Sequence, residues 1–112
     1  MNSGAEAENS AARYLQQHGL RLLTRNYRCR AGEIDLVMQD GTTLVFVEVR
    51  LRRNPAFGGA AASIDTRKQA KLIRAAQHYL ATLTPVPPCR FDAVLLGVDT
   101  TTIEWLKNAF EA

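Results

Sequence analysis

Two patterns of apolar residues divide the chain into predicted helices and strands. Residues 4–18 and 65–83 carry apolar side chains at intervals of three and four positions, which predicts two amphipathic helices. Segments rich in valine, leucine, isoleucine and phenylalanine predict five strands, at residues 20–28, 33–39, 42–50, 90–98 and 101–106. A loop is expected at 52–63 and a short helix at 107–112. The order α-β-β-β-α-β-β predicts an α/β fold, with a mixed central sheet flanked by helices, in a single domain over residues 1–112.

The second and third strands contain acidic residues that an ordinary buried strand would lack. Asp40-Gly41 predicts a tight hairpin turn between them, with residue 39 facing residue 42. In this register Glu33 lies opposite Glu48, and Asp35 lies opposite Phe46. Because side chains alternate between the faces of a strand, the three carboxylates emerge together on one face. The other face of the second strand is expected to carry its apolar side chains, Ile34, Leu36 and Met38.

Carboxylates that face each other on a sheet repel, and this repulsion needs a counter-charge. A divalent cation is one solution, since carboxylate oxygens are hard ligands that suit Mg²⁺ or Mn²⁺. The alternative is that Glu33 and Glu48 point into water and pair with neighbouring arginines. Arg50, two residues after Glu48, supplies a cation on the same face under either interpretation.

Length and composition indicate one soluble domain. The chain has 112 residues, of which 46% are hydrophobic and 22% charged, enough for a single core. No apolar run approaches the ~20 residues that span a bilayer, so no membrane contact is expected. The first residues are polar and acidic rather than a secretory signal, which predicts a cytoplasmic protein. Cys29 and Cys89 have no metal-binding spacing and are expected to be free thiols.

Basic residues are unevenly distributed, although the net charge is only +3. One group follows the hairpin and enters the second predicted helix: Arg50, Arg52, Arg53, Arg67, Lys68, Lys71 and Arg74. A second group precedes the hairpin: Arg21, Arg25, Arg28 and Arg30. Such clustering is typical of proteins that contact phosphate backbones, and the alternative is a solvated surface. Arg67, Lys71, Arg74 and His78 recur on one helical stripe, and neither His18 nor His78 is assigned a catalytic role.

Several motifs together resemble the YraN family of small bacterial proteins. They are G-E-I-D-L at residues 32–36, V-F-V-E-V-R-L-R at 45–52 and G-x-x-x-E-x-x-A-x-x-Y-L at 4–15. Gly58-Gly59-Ala, the helix with Lys68 and the strand Arg90-Phe91-Asp92 also match, so the resemblance covers nearly the whole chain. That family is similar to the PD-(D/E)xK nuclease superfamily, near the archaeal Holliday junction resolvases. The resemblance implies a restriction-endonuclease-like core.

The resemblance also implies roles for individual residues. Asp35, Glu48 and Glu8 would be metal ligands, with Glu6 as the second choice on the first helix and the carbonyl of Val49 completing the site. Glu33 would tune the site. Arg50 occupies the position where the superfamily usually has lysine, and an arginine remains protonated. Arg50 could hold the scissile phosphate but could not act as a general base. The implied catalytic set is Glu8, Asp35, Glu48 and Arg50.

The implied function is a Mg²⁺- or Mn²⁺-dependent endonuclease that hydrolyses phosphodiester bonds of branched or junction DNA in repair or recombination. DNA is favoured over RNA, and a homodimer is expected because a symmetric junction needs two active sites. One alternative is a nucleic-acid-binding accessory protein that kept the fold with little or no cleavage. A weaker third is an interaction protein with a merely acidic surface. The expected nucleic-acid-binding residues are Arg52, Arg53, Arg67, Lys68, Lys71 and Arg74.

Overall fold

A computed structural model describes residues 3–52, 64–97 and 102–112. In these residues the chain forms the predicted order of elements, with bounds that differ from the predictions by a few residues. They are α1 (Ser3–Gln17), β1 (Arg21–Cys29), β2 (Gly32–Asp40), β3 (Thr43–Arg52), α2 (Thr66–Leu80), β4 (Cys89–Gly97) and β5 (Ile103–Phe110). The strands form one sheet in the order β1-β2-β3-β4-β5, in which only β3 and β4 run parallel. The predicted α/β fold with a mixed sheet is therefore confirmed.

The two helices cover opposite faces of the sheet, and each face has its own apolar core. The core under α1 is made of buried side chains from α1, the sheet and the connection between α1 and β1: Ala7, Ala11, Ala12, Leu15, Leu20, Leu36, Met38, Val45, Val47, Val94 and Leu96. The core under α2 is made of Ile34, Val37, Leu44, Phe46, Ile64, Leu72, Ala75, Ala76, Phe91, Ala93 and Phe110. Burial of these side chains is the main force that holds the three layers together.

The second helix begins where its sequence predicts. Asp65 is the N-cap, and its carboxylate accepts a hydrogen bond of 2.8 Å from the backbone N–H of Lys68. This bond satisfies one of the amide groups that the first helical turn leaves without a partner. The cap fixes where α2 begins, while the buried residues Leu72, Ala75 and Ala76 define the side that faces the sheet.

The hairpin between β2 and β3 forms, but its predicted register is wrong. Asp40 pairs with Thr43, and Val37 pairs with Phe46, so the turn is Gly41-Thr42 rather than Asp40-Gly41. Gly41 has a φ of 62°, a left-handed conformation that glycine adopts without steric cost. Because the turn still contains two residues, β3 keeps its predicted faces. Continuing this register would bring Asp35, rather than Glu33, opposite Glu48.

The predicted alternation along β2 is also wrong at Asp35. Leu36 packs under α1, whereas Ile34 packs with Val37 under α2, although Ile34 and Leu36 were expected on one face. On the neighbouring strand, Asn26 lies between the pairs Arg25–Leu36 and Tyr27–Ile34 and has a φ of 53°. Asparagine tolerates this left-handed conformation better than most residues. The two strands therefore change faces together at Asn26 and Asp35.

The expected helix at residues 107–112 is absent, because β5 continues to Phe110. Phe110 is buried and stacks on Phe91 of β4 with ring centroids 4.8 Å apart. A short terminal segment without a cap has little helical stability of its own, so sheet pairing and this aromatic contact decide its conformation. The predicted loop at 52–63 lies outside the described residues, apart from Arg52, which ends β3.

Two expectations from composition can be compared with the described residues. Neither of their helices is long and apolar enough to cross a membrane. Cys29 and Cys89 are both free thiols, as predicted, and Cys89 is exposed.

A buried carboxylate fastens the last two strands. Asp92 is fully buried and accepts hydrogen bonds from the guanidinium of Arg90, from the indole N–H of Trp105 and from the backbone N–H of Asn108. Arg90 also pairs with Asp40 at 3.0 Å, which ties β4 to the hairpin. Each donor would be left without this partner if the carboxylate were removed.

We expect Asp92→Ala to lower the free energy of unfolding by about 3 kcal/mol, because it removes the acceptor shared by Trp105, Asn108 and one side of the Arg90 guanidinium and leaves a cavity in its place. Asp92→Asn keeps an acceptor and should cost less. Urea unfolding followed by circular dichroism measures both changes. Glu111→Ala, at an exposed terminal position, is the control and should stay within about 0.5 kcal/mol of the wild type. A loss for Asp92→Ala no larger than the control's would contradict this role.

Candidate functional site

The site forms where β2 and β3 separate. Their pairing ends at Leu36 and Val47, so β2 leaves β3 at the next residue, Asp35. One carboxylate oxygen of Asp35 accepts a hydrogen bond of 2.8 Å from the backbone N–H of Val49. The side chain thereby supplies the acceptor that a continuing strand would have offered. Asp35 is thus held at a fixed point between the two faces of the sheet.

Two more carboxylates approach Asp35 from α1 and from the start of β2. Glu8, Glu33 and Asp35 each offer an oxygen, and these atoms lie within 4.8 Å of one another. We call these three residues the acidic cluster. A cleft of about 270 Å³ lies beside it and is lined by both glutamates, Asn26, Arg28 and the first turn of α1. Among the described residues, the acidic cluster is the set of side chains whose spacing could hold a metal ion.

Glu48 reaches Asp35 from the other side. It is only 4% exposed, and its carboxylate shares a hydrogen bond with that of Asp35. Two cations contact the same oxygen of Glu48: Nε of Arg50 at 3.3 Å and Nζ of Lys68 at 3.5 Å. The structure therefore brings Glu48 to the site but separates it from the acidic cluster. Glu33, expected only to tune the site, takes the third place in that cluster.

Each glutamate of the site has a basic partner. Arg25 lies 3.9 Å from Glu8, and Arg28 lies 3.4 Å from Glu33. The alternative of pairing with arginines thus describes Glu33, while Glu48 is buried rather than pointing into water. Within the part of the chain that the structure describes, Asp35 has no such ion pair. It occupies the centre of four carboxylates.

This position changes the acidity of Asp35. Burial, followed by the hydrogen bond and the negative charge of Glu48, raises the pKa of Asp35 to about 7. The N–H of Val49 and the charge of Lys68 oppose this rise. Burial and then the charge of Asp35 also raise the pKa of Glu8 above its usual range. Near neutral pH the negative charge of the four carboxylates is therefore not fully balanced by the basic residues around them.

Arg50 takes part in the site through an ion pair with poor directionality. Its Nε is buried and has no hydrogen-bond partner among the described residues, although Glu48 lies 3.3 Å away. The distance allows electrostatic attraction, but the geometry is not that of a hydrogen bond. The guanidinium is therefore not locked by Glu48, and 39% of the Arg50 side chain remains exposed.

Lys68 was expected on the phosphate-binding surface, and the structure brings its ammonium against Glu48 instead. The sequence carried a signal for this placement. Lys68 precedes Leu72 by four positions and Ala75 by seven, and both are buried under α2. Residues at this spacing share one side of a helix, so Lys68 faces the sheet. It lies in the first turn of α2, beside the point where β2 and β3 separate.

The other basic residues of α2 are more exposed than Lys68. Arg67, Lys71 and Arg74 are exposed, as the helical stripe predicted. His78, which continues the stripe, contacts the hydroxyl of Tyr27. Arg53 lies outside the described residues. Glu6, the second choice on α1, is exposed and is not part of the acidic cluster.

Fold and site together define a class: a small α/β domain with clustered carboxylates at a strand separation and basic residues around them. The sequence profile of the uncharacterised protein family UPF0102 matches residues 7–96. The chain is 60% identical to the UPF0102 protein of Nitrosomonas eutropha over 110 residues, which cover 98% of this chain and 94% of that relative. It is 59% identical to a UPF0102 protein of Cupriavidus taiwanensis over 111 residues, covering 97% and 82% respectively. This chain belongs to the UPF0102 family, which confirms the resemblance to YraN proteins.

The raised pKa of Asp35 predicts that stability depends on pH. Because the folded protein holds a proton on Asp35 up to about pH 7, and the unfolded chain releases it near 3.8, stability should fall as the pH rises between these values. Asp35→Asn can still accept from Val49 and donate to Glu48. At pH 8 and without divalent cations, we expect it to be more stable than the wild type by on the order of 1 kcal/mol or more.

Thermal unfolding from pH 5 to pH 8 in EDTA measures this difference, which should shrink towards pH 5. Asp65→Asn is the matched control, since asparagine caps a helix about as well as aspartate. A difference between Asp35→Asn and the wild type that is the same at both pH values would contradict the interpretation.

Proposed function

We propose that this protein is a divalent-cation-dependent endonuclease that hydrolyses phosphodiester bonds of DNA. One observation carries the proposal: Asp35 lies where two strands separate, Glu8 and Glu33 cluster around it, and Glu48 is hydrogen-bonded to it. Such a set of acids has little structural purpose, because each member raises the electrostatic cost of the others. Proteins accept that cost mainly where the charges act on a ligand or a reaction.

The residues fit a Mg²⁺ or Mn²⁺ ion. All donors of the acidic cluster are carboxylate oxygens, which are the ligands that these hard cations prefer. Asp35, Glu8 and Glu33 would hold the ion directly. The family resemblance implies Glu48 as a further ligand, and its contact with Asp35 brings it close to the proposed ion site. A bound cation would also displace the proton that burial and Glu48 favour on Asp35.

The reaction is the addition of water across one phosphodiester linkage. When bound, the cation supplies Lewis-acid activation of water and of a phosphoryl oxygen. The oxygen of the water forms a bond to phosphorus, the bond to one ester oxygen breaks, and that oxygen leaves with a proton. A carboxylate of the site can accept the proton that the water loses. Arg50, with an exposed guanidinium beside Glu48, can hold the scissile phosphate.

Basic residues on two elements, α2 and β1, support a polyanionic substrate. Arg67, Lys71 and Arg74 form an exposed row on α2. Arg25 and Arg28 on β1 pair with the glutamates of the acidic cluster. Phosphate contacts from two elements suit duplex or branched DNA better than a single strand, which usually needs aromatic stacking surfaces. A homodimer belongs to the same proposal, since a symmetric junction would need two sites.

A second function, that of a nucleic-acid-binding accessory protein, has one observation in its favour. Glu48 is already neutralised by Arg50 and Lys68, two cations within 3.5 Å of the same oxygen. A carboxylate paired in this way binds a metal ion less strongly than a free one. The basic surfaces would then bind DNA without efficient cleavage.

The deciding experiment is cleavage of labelled duplex, flap and four-way-junction DNA with Mg²⁺ or Mn²⁺ and with EDTA. We expect cation-dependent products from the wild type. Asp35→Asn and Glu48→Gln should each lower the cleavage rate by about 100-fold or more, because each removes a carboxylate from the reaction site. Glu111→Gln, purified in the same way, should cleave like the wild type. DNA binding with no product under any of these conditions would favour the accessory protein instead.

The proposed role of the basic row on α2 predicts a strong salt dependence of DNA binding. Lys71→Gln and Arg74→Gln should each weaken binding to duplex DNA of any sequence. Each should also reduce the magnitude of the slope of log K against log salt concentration by about 1. Fluorescence anisotropy in EDTA, from 50 to 200 mM salt, measures this slope. Gln77→Ala, at an exposed position on α2, is the uncharged control. An unchanged slope in both charge variants would show that Lys71 and Arg74 do not contact phosphates.

A further inference from the structure

We infer that Lys68 is the catalytic residue of α2 and that its ammonium contacts the phosphoryl group at which the DNA strand is cut. The more exposed cations of the helix do not take this role. This inference rests on the proposed nuclease function. It divides the basic residues of α2 into two sets with different tasks. Lys68 acts on the reacting group, while Arg67, Lys71 and Arg74 bind the DNA backbone.

The first support is the direction of the side chain. Lys68 shares one side of α2 with the buried residues Leu72 and Ala75, so it faces the sheet, whereas Arg67 and Lys71 are exposed. The backbone N–H of Lys68 donates the capping hydrogen bond to Asp65, which anchors the first turn of the helix, where Lys68 lies. The helix therefore holds the ammonium over the site by its backbone as well as by the ion pair.

The second support is what the ammonium touches. Nζ of Lys68 lies 3.5 Å from Glu48, whose carboxylate is itself bonded to Asp35 at the centre of the site. An ammonium has three donors, and 36% of the side chain is exposed. It can therefore keep its contact with Glu48 and still present a donor to a phosphate entering from solvent. A cation placed in advance where negative charge develops is a major source of rate enhancement.

The third support is the division of labour with Arg50. Both cations contact the same oxygen of Glu48, but Nε of Arg50 makes no hydrogen bond among the described residues. A compact ammonium can rotate its donors between a carboxylate and a phosphate, whereas a guanidinium holds its donors in a rigid fork. Lys68 is thus the better placed of the two to interact with the phosphate as the bond breaks.

The experiment compares Lys68→Gln with Lys71→Gln, two variants that remove one positive charge from the same helix one turn apart. Single-turnover cleavage with Mn²⁺, with the protein in saturating excess over DNA, gives the rate, and anisotropy in EDTA gives the affinity for the same DNA. We expect Lys68→Gln to cleave about 100-fold more slowly, with an affinity within about threefold of the wild type. Lys71→Gln should show the reverse, weaker binding with a near-normal rate at saturation.

Two further measurements protect the result from a trivial explanation. Lys68→Arg keeps the charge and should recover most of the lost rate, and Lys68→Met serves as the neutral variant if Lys68→Gln does not fold. Calorimetric titration should show that Lys68→Gln binds Mn²⁺ no more weakly than the wild type, because it retains all the carboxylates.

The outcomes separate this inference from the proposed function. If the wild type cleaves and Lys68→Gln changes affinity but not rate, the inference is overturned and Lys68 is one more backbone contact. Weaker Mn²⁺ binding by Lys68→Gln would also overturn it, since Lys68 would then act by ordering the metal site. If the wild type cleaves no substrate with either cation, the nuclease proposal fails and this inference fails with it.

Discussion

The hydrogen bond from the N–H of Val49 to the carboxylate of Asp35 is the contact around which this site is built. Two antiparallel strands cannot separate inside a folded protein without leaving backbone groups in need of partners. Here a side chain takes over where the backbone ladder stops, so β2 can turn away from β3 at low cost. The cleft beside this point is lined by Glu8 and Glu33, whose carboxylate oxygens lie within 4.8 Å of an oxygen of Asp35.

Asn26 makes the separation compatible with a continuous β1–β2 pairing. Its left-handed backbone lies beside Asp35 on the adjacent strand, and both strands change faces there. Pairing resumes on each side of the change, with Tyr27 opposite Ile34 and Arg25 opposite Leu36. The apolar side chains on either side thus remain in the two cores, while Asp35 can reach Glu8 near one helix and Glu48 near the other.

The repulsion between the carboxylates of the site is only partly compensated by the basic residues around them. Arg25, Arg28, Arg50 and Lys68 each compensate a glutamate, and the rise in the pKa of Asp35 reflects the part that remains. The well-packed sheet can support that cost, since β3 and β4 are buried on both faces. Asp92 shows the contrast between a structural and a functional acid. It is completely buried, but its oxygens accept hydrogen bonds from Arg90, Trp105 and Asn108.

Much of the fold follows from local sequence. The apolar repeats predicted both helices and five strands, because burial requires apolar side chains at the period of each element. The extension of the fifth strand to Phe110 was not predicted, since the stacking of Phe110 on Phe91 joins two separate strands. The predicted turn of the hairpin, Asp40-Gly41, lies one residue before the observed turn, Gly41-Thr42. Both are acceptable two-residue turns when judged from the local sequence. The pairing of whole strands decides between them.

The sequence by itself determined the fold class, because apolar periodicity encodes which residues share an element. Its motifs indicated the family, and that resemblance implied that Asp35, Glu48 and Glu8 belong to one site. Only the tertiary structure decided how these acids are arranged. Glu33 joins the acidic cluster because two strands change faces at Asp35, and Lys68 meets Glu48 because α2 packs across the sheet at that point. Both contacts depend on the relative placement of separate elements, which the periodicity of a single segment cannot specify.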